Sequence, residues 1–207
     1  MTESEARTYL WGFDERKLGK FGEAVFKNVF ASSGLGFISL CNIENGGAPM
    51  IEGQKKTVLP DFEVVGSGWS AYLDAKCKKH VVLWRKTNQL RHGILIRNYN
   101  DYKKTGVLMR REAGVGIVEL HTHEEENKWS GALLAESFRN LTNPCYGMPN
   151  TKLSDTVLWP RKQFVELTQL TALELLDLAS GKFKADCRYE LEQIFNPPPP
   201  VVQQSLF

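Results

Sequence analysis

Two aspartates lie in a pair of short segments that read as a β-hairpin. Residues 61–65 and 69–76 alternate between polar and apolar side chains, and a glycine-rich turn separates them. With a two-residue turn at Ser67 and Gly68, Asp61 lies directly opposite Asp74. Directly opposed side chains have Cβ atoms only ~5 Å apart, and a three-residue turn would leave the two as diagonal neighbours. The spacing therefore predicts two neighbouring carboxylates.

Two carboxylates this close repel each other unless a proton or a cation lies between them. A hard divalent cation such as Mg²⁺ is the natural occupant, and we expect Mn²⁺ to substitute for it. Lys76 follows Asp74 by two residues, so it projects from the same face of the strand and could orient an attacking water. Glu23 adds a third carboxylate if its helix packs behind the hairpin. This set suits metal-dependent phosphodiester hydrolysis, whereas Asp-x-Lys alone is more typical of a solvated strand.

The elements that would position these residues follow from hydrophobic periodicity and turn chemistry. We expect helices at 14–31, 87–103, 171–178 and 185–195, and strands at 37–43, 61–65, 69–76, 116–121 and 156–159. Asn196 is followed by four prolines, which favour an extended polyproline conformation. The pattern predicts a folded nuclease-type body at 1–195 and a stiff tail at 196–207.

The order of these motifs resembles that of the PD-(D/E)XK nuclease superfamily. The matching residues are Gly22-Glu23, Pro60-Asp61, Asp74-Ala75-Lys76 and Gln89, which falls on the predicted helix after the hairpin. The resemblance covers about residues 18–125. It implies an α/β fold, a restriction-endonuclease-like mixed sheet flanked by helices, here with C-terminal helices added.

The resemblance also implies roles for these residues. The expected metal ligands are Glu23, Asp61, Asp74 and Ala75, and Lys76 would assist the attacking water. Gln89 would lie near the metal-bound water or a phosphate, although a plain amide on a helix surface is the alternative.

Within the superfamily, the chain looks like the Holliday-junction resolvases of archaeal and phage type. The features in common are the compact body, Gln89 after the hairpin, Thr105-Gly106 before a strand, and a late strand at 159–164. This implies a Mg²⁺-dependent, structure-selective endonuclease that cuts branched DNA as a homodimer, since resolution cuts two strands. The alternatives are a nuclease of the duplex-end or restriction type and a non-catalytic, clamp-associated DNA-binding module.

The distribution of charge favours a nucleic-acid partner. The whole chain has 26 basic and 24 acidic residues, but residues 76–111 contain eleven Lys or Arg and one acid, Asp101. This basic segment carries +10, and the remainder carries −8. A solvated helix face would normally mix both signs. The expected backbone contacts are Lys78, Lys79, Arg85, Lys86 and Arg91.

The rest of the sequence bears on compartment and partners. No apolar stretch reaches ~18 residues, no secretion signal is evident and the four cysteines form no CxxC pair, so we expect a cytoplasmic, nucleoid-associated protein, with a phage gene as one possible source. The tail Gln203-Gln-Ser-Leu-Phe207 resembles the bacterial sliding-clamp-binding peptide, with Gln204 replacing the usual Leu. Gln203, Leu206 and Phe207 would be the clamp contacts; the alternative is that the tail folds back onto the domain.

Overall fold

The computed structural model describes residues 1–40, 57–123, 128–147 and 151–197, without the side chains of 121–123 and 128–130. The helices are α1 (Glu3–Trp11), α2 (Glu15–Ser32), α3 (Ile96–Met109), α4 (Ala172–Ala179) and α5 (Arg188–Phe195). The strands are β1 (Gly36–Ser39), β2 (Phe62–Gly66), β3 (Trp69–Lys78), β4 (Val82–Trp84), β5 (Gln89–Leu95), β6 (Glu112–His123), β7 (Lys128–Ser137), β8 (Cys145–Tyr146), β9 (Thr156–Pro160) and β10 (Val165–Leu170).

Six strands form the main sheet, in the order β1-β2-β3-β6-β7-β10. Every neighbouring pair is antiparallel except β3 and β6, which are parallel, and the connection between those two contains α3. A helix, a strand, a hairpin, a crossover helix and a further strand thus occur in the predicted order, with β4 and β5 inserted before the crossover helix. The predicted fold class, a mixed α/β sheet flanked by helices, is confirmed.

The main sheet separates two hydrophobic cores because successive side chains of β3 point to opposite faces. Leu73, Ala75 and Cys77 pack on one face with α1, α2, α4 and α5. Tyr72 packs on the other face with α3 and with a second sheet, of order β4-β5-β9-β8. The strand that carries Asp74 and Lys76 is therefore covered on both sides.

The predicted helix at 87–103 is wrong over its first half. Residues 89–95 form β5, which pairs antiparallel with β9, and α3 begins only at Ile96. Two features favour a strand here. Asn88 adopts a left-handed conformation (φ 49°) in the turn from β4. β9 also lies so close to β5 that a Cβ on Gly93 would meet the Val157 carbonyl oxygen at 2.3 Å. Thr105 and Gly106, expected after the helix, are buried inside α3.

Other boundaries agree more closely. The helix predicted at 14–31 is α2, and the capping box predicted at Thr171 opens α4. The last helix starts at Arg188, three residues later than expected. Helix α1 was not predicted, although Thr2 and Glu5 form a capping box that the sequence displays.

The segment 159–164, expected as one late strand, is divided. Trp159 and Pro160 end β9, and a 3₁₀ turn (Arg161–Gln163) leads into β10. Arg161 leaves this turn to hold Glu119 of β6, with Nη2 2.8 Å from Oε2, and His92 of β5 approaches the same carboxylate at 3.5 Å. This buried charge cluster connects the second sheet to the main sheet.

Across the described ranges, no helix is long and apolar enough to cross a membrane. The division into a body at 1–195 and a tail at 196–207 remains a prediction, because residues 198–207 lie outside the described residues.

Candidate active site

The β2–β3 hairpin has the register that the sequence predicts. Gly66 pairs with Trp69 and Phe62 pairs with Leu73, so one further step places Asp61 opposite Asp74. Asp61 lies just before β2, and its Oδ2 accepts a hydrogen bond from the Ala75 N–H at 2.8 Å. The side chain of Asp61 thus accepts the N–H next to Asp74 where the β2–β3 ladder ends.

Asp74 is fully buried on β3, where its two carboxylate oxygens have different surroundings. Oδ1 accepts hydrogen bonds from Lys76 Nζ and from the Tyr102 hydroxyl, both at 2.7 Å. Oδ2 is buried without a hydrogen-bond partner. Burial raises the pKa of Asp74 to about 6, although Lys76 opposes the shift.

Lys76 places its ammonium among oxygens of three residues. Nζ lies 2.7 Å from Asp74 Oδ1, 3.9 Å from Asp61 Oδ2 and 3.4 Å from the Ala75 carbonyl oxygen. These residues are three of the four expected metal ligands. The oxygen set therefore already holds a cation, which is the lysine itself.

Glu23 reaches the edge of this site because Gly22 lets α2 approach β3 closely. A Cβ on Gly22 would lie 3.2 Å from both the Cys77 amide nitrogen and the Lys76 carbonyl carbon. Partial burial raises the pKa of Glu23, and Lys76 opposes that rise while Asp74 adds to it. The helix packing that the sequence analysis required is thus present.

The three acids do not converge as closely as expected. Within the described ranges, no group of three or more His, Cys, Asp or Glu side chains is arranged to hold a metal ion. Glu23 therefore does not complete a cluster with Asp61 and Asp74 in this arrangement, in which the Lys76 ammonium lies between those two aspartates. The donor set still fits a hard divalent cation, because the buried Asp74 Oδ2 has no hydrogen-bond partner and the nearby charge of Asp61 raises the pKa of Asp74.

Tyr102 is the site residue that sequence reasoning missed as a partner of Asp74. It is buried on α3 together with Thr105 and Gly106, at the i, i+3, i+4 spacing of a packed helix face. That pattern was visible in the sequence. The predicted helix ends at residue 103, however, and so leaves Thr105 and Gly106 outside it.

Gln89 is not on a helix. It is the first residue of β5, where its side-chain oxygen accepts hydrogen bonds from Arg91 Nη2 at 3.1 Å and from the Thr87 hydroxyl at 3.4 Å. Its role near a metal-bound water remains a prediction, and the helix placement on which that role rested is wrong.

The five predicted backbone contacts have different surroundings. Lys78 is partly buried beside Lys76, and burial lowers its pKa, whereas Arg85 and Lys86 are exposed. Lys79 Nζ donates to the Trp11 carbonyl oxygen. Arg91 is only 7% exposed, packs 6.0 Å from the centre of the Trp84 ring and donates to Gln89, so in this conformation it is not available to a phosphate.

Other members of the basic segment lie away from the acids. Lys103, Arg110 and Arg111 line a groove of about 1000 Å³ together with Arg139. Arg111 and Arg139 are paired there with Glu63 and Glu112, at 3.1 and 2.9 Å. The +10 of the basic segment is therefore divided between two surfaces.

No protein-family model matches this sequence. No curated protein matches it either. Among solved structures, the chain is similar to the Holliday junction resolvase Hjc of the archaeal hyperthermophile Archaeoglobus fulgidus, with 10% identity over 71% of this chain and 93% of that chain and a TM-score of 0.43. A likeness this distant assigns neither a family nor an activity.

Proposed function

We propose that the chain is a Mg²⁺-dependent, structure-selective DNA endonuclease that cuts four-way junctions. The observation that carries the proposal is the oxygen set of Asp61, Asp74 and Ala75, gathered around a cation at the end of the β2–β3 ladder. A buried carboxylate that has a pKa near neutrality and an unpaired oxygen is typical of functional sites rather than of structural ion pairs.

In this proposal Asp61 and Asp74 would hold the divalent ion, and Glu23 would add negative charge at the edge of the site. When bound, the ion supplies a water of lowered pKa and offsets charge on the phosphate. Tyr102 keeps Asp74 Oδ1 in place, and the Ala75 N–H does the same for Asp61. Lys76, displaced from the oxygen set, donates to the attacking water or to a phosphate oxygen.

Cations on β3 and after β4 support a polyanionic substrate. Lys78 continues the face of Asp74 and Lys76 along β3, and Arg85 and Lys86 are exposed after β4. Contacts of this kind bind the phosphate backbone without reading sequence, which suits an enzyme that recognises shape. Binding should therefore weaken steeply as salt increases.

We also propose two partners. Cutting two strands of a junction symmetrically calls for two centres and hence a homodimer. The tail contacts Gln203, Leu206 and Phe207 lie outside the described residues, and their binding to a sliding clamp remains a prediction. Deletion of residues 197–207 should abolish capture of the protein on an immobilised clamp and leave junction cleavage unchanged.

The decisive experiment is incubation with a synthetic four-way junction and Mg²⁺. We expect the wild type to cut it and Asp74→Asn to lose at least about 100-fold in rate, since even supporting residues of metal sites cost 10–100-fold. Asp177→Asn is the matched control, because Asp177 is exposed on α4. No cleavage by the wild type, or equal cleavage by the Asp74 variant, would contradict the proposal.

Two other functions make different predictions in the same experiment. A duplex-end or restriction-type nuclease would cut linear duplex as fast as a junction with the same number of phosphates. A non-catalytic DNA-binding module would bind the junction but show no heat of Mg²⁺ binding in a calorimetric titration.

A further inference from the structure

An exposed tryptophan is held by the two residues that follow β3, the strand that carries Asp74 and Lys76. Trp11 is the last residue of α1 and is 41% exposed. Lys79 Nζ donates to its carbonyl oxygen at 2.5 Å and lies 5.9 Å from the centre of its ring. The His80 ring meets the indole edge-to-face, with centroids 5.1 Å apart and planes at 83°. The indole is thus both accessible and held in place.

The sequence separation of Lys76 and Lys79 limits the distance between Trp11 and a phosphate bound at Lys76. Lys79 follows Lys76 by three residues, which is ~10 Å of extended chain. Successive phosphates of one DNA strand advance by ~3.4 Å along the helix axis and are farther apart in space, so this distance corresponds to at most about three nucleotides. A strand whose phosphate lies at Lys76 can therefore bring a neighbouring nucleotide to Trp11.

The aromatic and basic side chains around Trp11 are suited to binding a nucleobase. A second exposed aromatic residue, Tyr9, lies on the same helix, is 55% exposed and is braced edge-to-face against Phe13. Lys79, whose Nζ lies 5.9 Å from the centre of the Trp11 ring, adds positive charge beside the indole. An aromatic face beside such a cation is the arrangement that binds unpaired bases by stacking, whereas in continuous duplex the base faces are covered by their neighbours.

We propose that Trp11, braced by Lys79 and His80, stacks on a nucleobase that is unpaired or unstacked at a DNA branch point. The inference rests on the proposed function and refines it: the substrate is DNA that offers a free base face within about three nucleotides of the cut. Selection of branched over linear DNA then comes in part from this residue.

The test measures DNA binding without cleavage. Each protein is studied in Ca²⁺ in place of Mg²⁺, and the series is repeated with Asp74→Asn added to every protein. Wild type, Trp11→Ala and Trp11→Phe are titrated with a linear duplex, a four-way junction and a junction carrying unpaired thymines at the branch, all with equal phosphate number. We expect Trp11→Ala to weaken binding of the two branched DNAs roughly 5- to 100-fold and of the linear duplex less than about twofold. Trp11→Phe should restore most of the loss.

A fluorescent base reports the contact directly. 2-Aminopurine placed at the unpaired position should be quenched by the wild type and not by Trp11→Ala, a result that a purely structural role of Trp11 would not give. Tyr189→Ala is the control, because Tyr189 is 71% exposed on α5. Unfolding midpoints of all variants show whether α1 remains folded.

Two outcomes would overturn the inference. One is an equal loss of affinity for linear and branched DNA, which would make Trp11 a structural residue. The other is no loss for either DNA, which would leave the exposed indole to a protein partner. Both are distinguishable from failure of the proposed enzyme, which would appear as absent metal-dependent cleavage while the base discrimination persists.

Discussion

Asp74→Asn is expected to stabilise the fold at neutral and alkaline pH in the absence of metal. Asp74 is fully buried, and burial raises its pKa from 3.8 to about 6 even with Lys76 beside it. At ~1.4 kcal/mol per pH unit, that difference corresponds to about 3 kcal/mol by which ionised Asp74 weakens the folded state. An uncharged Asn does not have this cost.

The direction of the pKa shift of Asp74 determines the pH range over which the variant is more stable than the wild type. The proton binds more tightly in the folded state, so the stability it contributes is fully present below pH 3.8 and is lost as pH rises through about 6. The Asn variant lacks this titration. Its advantage over the wild type should be near zero at pH 4 and about 1–3 kcal/mol at pH 8, the lower end applying if the new amide lacks a partner.

Urea unfolding in EDTA between pH 4 and pH 8.5 measures this difference. For a chain of this length, 1 kcal/mol also shifts the thermal midpoint by roughly 2–4 °C. Asp177→Asn, at an exposed position, should show no such pH-dependent gain. An Asp74 variant that is less stable than the wild type at pH 8, or an offset that does not change with pH, would refute the reasoning.

The same variant connects stability to metal binding. Mg²⁺ that binds the folded wild type should raise its stability by about 2.7 kcal/mol at a concentration 100 times the dissociation constant. The Asp74 variant should gain much less, because it lacks one of the two carboxylates. Equal stabilisation of both proteins would place the bound metal elsewhere.

Three further predictions concern the supports of the site. Gly22→Ala should lower the free energy of unfolding by about 1–3 kcal/mol and slow cleavage, because the added Cβ pushes α2 away from β3. Gly19→Ala, whose Cβ meets nothing within 4 Å, should raise the free energy of unfolding by about 0.5–1 kcal/mol in the same urea titration. Tyr102→Phe should cost about 1–2 kcal/mol and raise the Mg²⁺ concentration needed for half-maximal cleavage, since Asp74 loses a hydrogen bond. Arg161→Met should cost about 3–5 kcal/mol on thermal unfolding because it leaves a buried carboxylate without its main partner; an unchanged midpoint would contradict this.

The parts of the structure that the sequence predicted are those determined locally. The turn at Ser67-Gly68 set the register that opposes Asp61 and Asp74, and the apolar spacing of α2 gave that helix to within one residue at each end. Segment 87–95 was misassigned because its structure depends on pairing with β9, more than 60 residues later in the chain. No local pattern contains that information. The misplaced helix also hid the contact between Tyr102 and Asp74.

The interior of the site was harder still to predict because it depends on burial. Spacing placed Lys76 on the face of Asp74, but it could not show that the ammonium would lie among the oxygens expected to bind a metal. Nor could it show that Glu23 stays at the edge of the cluster. Both follow from how deeply β3 is covered by the two cores, a property of the whole fold.

The geometry of β3 explains why the chemistry is located here. Its ladder with β2 ends at Leu73, whereas its ladder with β6 continues to Lys78. Beyond Leu73, a side chain replaces the backbone of β2 as the partner of β3. The Ala75 N–H, which a longer β2 would bind through a backbone carbonyl, donates to the Asp61 carboxylate instead. An edge of this kind inside a sheet normally invites pairing with another strand. In this protein the edge presents two carboxylates and a lysine, the groups that the proposed function uses to bind a cation and a phosphate.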